Sequence, residues 1–182
     1  MATGIAPILR LPRLTTLSPQ VAAELSKSEG SILQFDALAT LSPEAALELA
    51  KYNGQYLNLN GVKMLSPNVA AALSKNKNFL GLQGLTSLSP QVAAELSKHG
   101  GSGLGLNGVE TLTSEAATEL AKYKGQHISL MGLNALSPEA AAELAKCKSR
   151  LSYRQPKRCN CKPCNGSGKL KHAKTCDCGC LT

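Results

Sequence analysis

The chain has no Trp and only four Tyr and two Phe in 182 residues, so whatever core it builds must be aliphatic. It has no run of 18 apolar residues, which excludes a membrane-spanning helix of ordinary length. Cysteine is missing from the first 146 positions, and acidic residues are missing from the last 35 apart from Asp177. The opening residues Met1 to Leu14 are broken by Pro7 and Pro12 and lack the charged start, apolar block and small-residue cleavage site of a secretory signal. They read as a first strand and its cap, and the expected location is cytoplasmic.

What the chain does have is a repeat. Leu9, Leu33, Leu57, Leu80, Leu104, Ile128 and Leu151 recur at steps of 23 or 24 residues. Ser18, Ser42, Ser66, Ser89, Thr113 and Ser137 recur in the same rhythm, each followed by Pro except where Ser114 takes its place. In the unit beginning at Leu57, Leu57-Asn58-Leu59 alternates like a short half-buried strand, and Asn60-Gly61 turns the chain. Ser66 and Pro67 start a helix, Ser as N-cap and Pro at the first position, where its missing N–H costs nothing. Val69, Ala70 and Leu73 form the helix's apolar stripe, and Lys75 follows near the negative end of the helix dipole.

A unit this small cannot bury its strand and its helix stripe alone. Stacked neighbours can, with strands side by side in a parallel sheet and Ala-rich helices along the other surface. The expected fold is therefore α/β. Gly61, Gly84, Gly108 and Gly132 mark the turn after the strand, while Arg13 and Ala37 hold that place in the first two units.

The pattern L-x-L-x-G-L-x-x-L-S-P-E-A-A-x-x-L resembles the leucine-rich-repeat family, particularly its short bacterial repeats, over about four-fifths of the chain. The resemblance implies a right-handed solenoid with a short-stranded parallel sheet on one face and helices on the other. It also implies a binding or scaffolding role. Leu38, Val62, Leu85, Val109 and Leu133 stand where the family's ladder Asn would be, so no Asn ladder is expected.

Two parts follow: a solenoid over residues 1–153, and a basic, Cys-rich tail over 154–182. Residues 1–147 balance their charges, so the formal net charge of +8 belongs to the C-terminal end. There Lys148, Arg150, Arg154, Lys157, Arg158, Lys162, Lys169, Lys171 and Lys174 face Asp177 alone. The tail's large apolar residues are Leu170 and Leu181, too few for a core, so a crosslink is needed. Cys159, Cys161, Cys164, Cys176, Cys178 and Cys180 supply the thiols. Cys161-x-x-Cys164 is a metal knuckle, and two of the last three cysteines would complete a tetrahedral Zn2+ site of four thiolates. His172 and Cys147 are further candidate ligands. The run C-x-x-C-x-G-x-G from Cys161 to Gly168 resembles half of the zinc module of DnaJ-type chaperones; the second half does not follow that form. Disulfides are the alternative and need an oxidising compartment. The tail can act as a cap on the last unit, or it can contact nucleic acid or an acidic protein through its basic residues.

The outward strand positions form columns. One reads Ile8, Ile32, Tyr56, Phe79, Gly103, His127, Arg150, and another ends on Asn107, Met131 and Arg154. Ile32, Tyr56 and Phe79, with His127 and Met131 further along, are the candidate contacts for another protein or peptide, since apolar and aromatic anchors dominate interfaces. The centre at Gly81, Gly103 and Gly105 reads as flat and open to close approach. His99, His127 and His172 fall at a helix end, the sheet face and the tail, and each reads as solvated. The helix-end column Ser28, Tyr52, Asn76, His99, Tyr123, Cys147 varies as surface positions do. No catalytic constellation is visible, so an enzyme is not expected. A non-catalytic scaffold is expected instead, with tail-mediated nucleic-acid or acidic-partner binding and end-to-end self-association as rivals.

Overall fold

The structure is a computed structural model, and it describes residues 7–153. Seven strands form one parallel sheet in the order of the chain. They are β1 (Ile8–Arg10), β2 (Ile32–Gln34), β3 (Tyr56–Asn58), β4 (Phe79–Gly81), β5 (Gly103–Gly105), β6 (His127–Leu130) and β7 (Arg150–Tyr153). Six helices alternate with them: α1 (Pro19–Ser26), α2 (Pro43–Leu49), α3 (Pro67–Leu73), α4 (Pro90–Leu96), α5 (Ser114–Ala121) and α6 (Pro138–Leu144). Each strand starts one residue before the repeating leucine. The ladder runs on past its end, as the N–H of Leu59 donates to the carbonyl of Gly81 at 2.8 Å.

Helices of seven or eight residues are too short to stand alone in water. Two things hold these. Each N-cap hydroxyl accepts from the backbone N–H three residues on: Ser18 from Val21, Ser42 from Ala45, Ser66 from Val69, Ser89 from Val92, Thr113 from Ala116 and Ser137 from Ala140. Each helix also packs on the next one in sequence, with the strand leucines beneath. Leu33, Leu57, Leu80, Leu104 and Ile128 pair in register and are fully buried. Burying such a side chain contributes about 2 kcal/mol. Leu9 and Leu151, at the two ends of the register, are only half-buried, as the first and last units of a stack must be.

Leu38, Val62, Leu85, Val109 and Leu133 are buried in the core, as their apolar character demands. Two side-chain amides instead link neighbouring units at the strand exit. The Gln83 side chain accepts from the N–H of Asn107 at 3.2 Å, and the Asn107 side chain accepts from the N–H of Met131 at 3.0 Å. The N–H left free where a strand ends needs an acceptor, and an amide at the same position of the preceding unit provides it.

Five of the six helices carry the same ion pair, Glu24–Lys27, Glu48–Lys51, Glu95–Lys98, Glu119–Lys122 and Glu143–Lys146, all at 2.6–2.7 Å. In the third unit Ala72 replaces Glu, and a shallow groove of about 290 Å³ opens there beside Lys75. No helix among the described residues is long and apolar enough to cross a membrane.

Candidate functional site

The outward face of the sheet is where the sequence places its candidate contacts. Strand alternation turns Leu33, Leu57 and Leu80 inward, and so turns the residues on either side of them outward. Register then lines up Ile8, Ile32, Tyr56 and Phe79 as direct neighbours across four strands. Ile8 and Tyr56 are 46% and 41% exposed, while Ile32 and Phe79 are half-buried. The rings of Tyr56 and Phe79 touch, with centroids 5.4 Å apart and planes tilted by 49°. Ile32, Tyr56 and Phe79 are therefore brought together, and Ile8 extends their row.

His127 and Met131 are not part of that row. They belong to β6 and its exit, beyond β5, whose outward positions are both glycine. His127 is half-buried, and its Nε2 lies 2.9 Å from the Ser152 hydroxyl. Met131 is 48% exposed and is held by its backbone N–H on Asn107. Arg150, grouped with the tail by its charge, is a residue of β7 and pairs in register with His127.

The glycine centre is not open. A Cβ built on Gly103 would lie 2.7 Å from Cδ2 of Phe79, and one on Gly105 would lie 3.2 Å from its Cε1 and Cζ. The Phe79 ring leans across β5 and covers both residues. The expectation of a flat platform is corrected, because an aromatic side chain beside a strand without Cβ atoms falls into the space they leave. The face's polar groups are engaged as well. Gln34 donates to Asp36 at 2.8 and 3.0 Å, and the Ser129 hydroxyl donates to the Asn107 side chain at 2.6 Å. An apolar row on a tied polar frame can make contact, but the face offers no cluster of reacting groups.

The helix-end column is buried, against the expectation that it lies at the surface. Tyr52, Asn76, His99 and Tyr123 are at most 3% exposed, and Cys147 packs against the core from a half-buried position. These side chains turn under the loop that leads into the next strand. The Tyr52 hydroxyl donates to the carbonyl of Gly30 at 2.7 Å. Asn76 donates to the carbonyls of Ala50 and Tyr52 at 3.2 and 3.1 Å, and accepts from the N–H of Asn78 at 2.9 Å. His99, read as solvated, is fully enclosed, its Nε2 lying 3.3 Å from the Gly103 carbonyl and its ring stacked 6.1 Å from that of Tyr123. Burial pulls its pKa below the ordinary histidine value, against the opposing pull of the carbonyls of Gly103, Ser74, Asn78 and Asn76. Burial likewise raises the pKa of Tyr52 and, with the neighbouring Cys147 thiol, that of Tyr123.

One signal in the sequence could have found this column. Each ring is followed two residues later by glycine: Tyr52 by Gly54, His99 by Gly101, Tyr123 by Gly125. A Cβ on Gly101 would lie 2.6 Å from the His99 ring, and one on Gly125 would meet the Tyr123 hydroxyl. The ring and a carbonyl of the preceding turn together take that room, so a glycine at this spacing marks a ring turned under the loop.

The metal candidates Cys159, Cys161, Cys164, Cys176, Cys178 and Cys180 lie outside the described residues, as do His172 and the tail's Arg154, Lys157, Arg158, Lys162, Lys169, Lys171 and Lys174. Among the described residues no group of three His, Cys, Asp or Glu is placed to hold a metal ion. No protein-family model and no curated protein matches the chain.

Proposed function

We propose that the chain is a right-handed leucine-rich-repeat solenoid that works as a non-catalytic interaction scaffold, and that its partner is an amphipathic helix laid across the strands. The observation that carries this reading is the row Ile8, Ile32, Tyr56, Phe79, which stands exposed or half-exposed on a face whose polar side chains are tied to one another. Spacing favours a helix. The row advances by about 4.8 Å per strand, and a helix advances by about 5.4 Å per turn. Over three steps the two drift apart by about 2 Å, which flexible side chains absorb. A partner strand running along the row would present side chains on one face only every ~7 Å and match poorly.

The test is a displayed library of amphipathic helical peptides selected against the full chain. Binders should lose at least about 30-fold in affinity on Tyr56→Ala/Phe79→Ala, as aromatic anchors do, and should tolerate salt. Failure to recover binders, or binders indifferent to that double substitution, overturns the reading.

A second reading is a structural subunit that stacks end to end. It draws on β1 and β7, each with a single strand neighbour among the described residues, and on the half-buried Leu9 and Leu151. Concentration-dependent growth of particles in light scattering separates it from the first. For the tail we assign the cysteines to structural zinc. Elemental analysis of protein purified under reducing conditions should find the metal, and chelation should raise the count of reactive thiols.

A further inference from the structure

A cleft of about 590 Å³ lies at the far end of the stack from the apolar row, where the turn after α5 meets the turn after α6. Lys122, Lys124, Lys146 and Lys148 line it. Their arrangement is not that of the ordinary helix-end lysines. Lys122 and Lys146 are held by Glu119 and Glu143 at 2.7 and 2.6 Å, like their counterparts in earlier units. Lys124 and Lys148 are exposed and have no ion pair among the described residues. Their column reads Glu29, Asn53, Lys77 and Gly100 in earlier units, so two consecutive uncompensated lysines occur only at this end.

Helix C-termini carry partial negative charge and would repel an anion. Here the Ser149 hydroxyl, which lines the cleft, lies 2.6 Å from the Gly125 carbonyl and 3.2 Å from that of Tyr123 and turns its one proton toward them. What the cleft presents is four ammonium groups against two carboxylates. The lining Tyr123 ring is 3% exposed and offers no face on which a base could stack. Ammonium groups on flexible stems suit several phosphates at once, without the fixed bidentate geometry that Arg imposes.

We propose that this cleft binds a compact polyphosphate group, three or more linked phosphates, through Lys124 and Lys148 with Lys122 and Lys146 alongside. The site is separate from the apolar row and does not depend on the role proposed for it.

The probe is inorganic tripolyphosphate, titrated calorimetrically into the full chain at about 50 mM and about 200 mM salt, the range over which phosphate contacts lose affinity steeply. Binding should weaken at the higher salt. Lys124→Gln/Lys148→Gln should weaken it about tenfold or more, with an unchanged circular dichroism spectrum. Lys27→Gln/Lys51→Gln, on paired lysines at the other end, should leave it within about twofold, as charges beyond a Debye length do, and Lys169→Gln/Lys171→Gln/Lys174→Gln, in the tail, should likewise leave it within about twofold. No binding by the full chain, binding indifferent to the Lys124/Lys148 change, or loss confined to the tail variant each overturns the proposal. An oligothymidylate of equal phosphate number that binds more tightly through the same two lysines overturns the assigned ligand and gives the cleft to a nucleic-acid backbone.

Discussion

Each unit turns twice, and the two turns solve one problem differently. At the strand exit the chain must pass close to the unit before it, and backbone meets backbone. A Cβ on Gly84 would lie 2.5 Å from the carbonyl oxygen of Val62, and one on Gly108 would lie 2.5 Å from that of Leu85. At the helix exit the turn also runs close to the preceding unit, a Cβ on Gly101 lying 2.5 Å from the carbonyl oxygen of Asn78, but the gap beside it is filled by a side chain that changes from unit to unit: Tyr52, Asn76, His99, Tyr123, Cys147. After Asn76 and Cys147, which carry no ring, the glycine is replaced, although Gly30 stands after Ser28. Asn78 and Ser149 stand in its place and hydrogen-bond to turn carbonyls of the preceding unit, those of Tyr52 and of Tyr123 and Gly125. A backbone contact admits Gly or, in the second unit, nothing larger than Ala37. A side-chain contact admits several residues, provided the buried polar atoms find partners.

The largest effect should come from breaking the first kind of turn. Gly84→Val or Gly108→Val forces a branched side chain into main-chain carbonyls that cannot rotate away, and should cost about 3 kcal/mol or more in urea denaturation. Arg13 occupies the same place in the first unit, which has no unit before it to strike among the described residues. Arg13→Gly should therefore move the midpoint very little, by less than about 0.5 kcal/mol. An equal loss at both sites would break the explanation from close approach.

The same difference accounts for what could be read in advance. Strand, turn, N-cap and helix stripe were legible because each rests on a local rule repeated in every unit, from Ser18 to Ser137 and from Leu9 to Leu151. The row through Ile32, Tyr56 and Phe79 was legible too, because parallel register follows from a constant repeat. The helix-end fillers were not, since variation in a column is the mark of a surface unless one notices which glycine accompanies which ring. The cover over Gly103 and Gly105 was hidden for another reason. It depends on where the Phe79 ring leans, and strand alternation says nothing about that. Lys124 and Lys148 blended into a lysine-rich edge until the pairing of Lys122 and Lys146 set them apart.

His99 tests the second kind of turn through pH. Its pKa is lowered in the folded chain, so below the unfolded value of about 6.5 the unfolded chain binds more protons than the folded one. The stability that neutral His99 supports is complete above that pH and is lost as pH falls through it, by at most about 1.4 kcal/mol per unit. His99→Asn copies the Asn76 solution and removes the titrating group. Between pH 7.5 and 5.5 the variant's melting temperature should fall less than that of the parent chain. Parallel curves would mean that the imidazole stays neutral in both states or charges without cost.

The smallest effect gives the sharpest contrast. Tyr52 and Tyr123 occupy the same position three units apart and are both buried, but only one hydroxyl is partnered. Tyr52 donates to Gly30, whereas the Tyr123 oxygen is buried without a hydrogen bond. Tyr52→Phe should cost about 1–2 kcal/mol, because it leaves a buried carbonyl without its donor. Tyr123→Phe removes a hydroxyl that has already lost its water and gained nothing in return. It should be neutral or stabilise by up to about 1 kcal/mol, with an unchanged dependence of unfolding on urea. If both substitutions cost the same, the ring alone would be the filler, and the hydroxyl's partner would not matter to the turn.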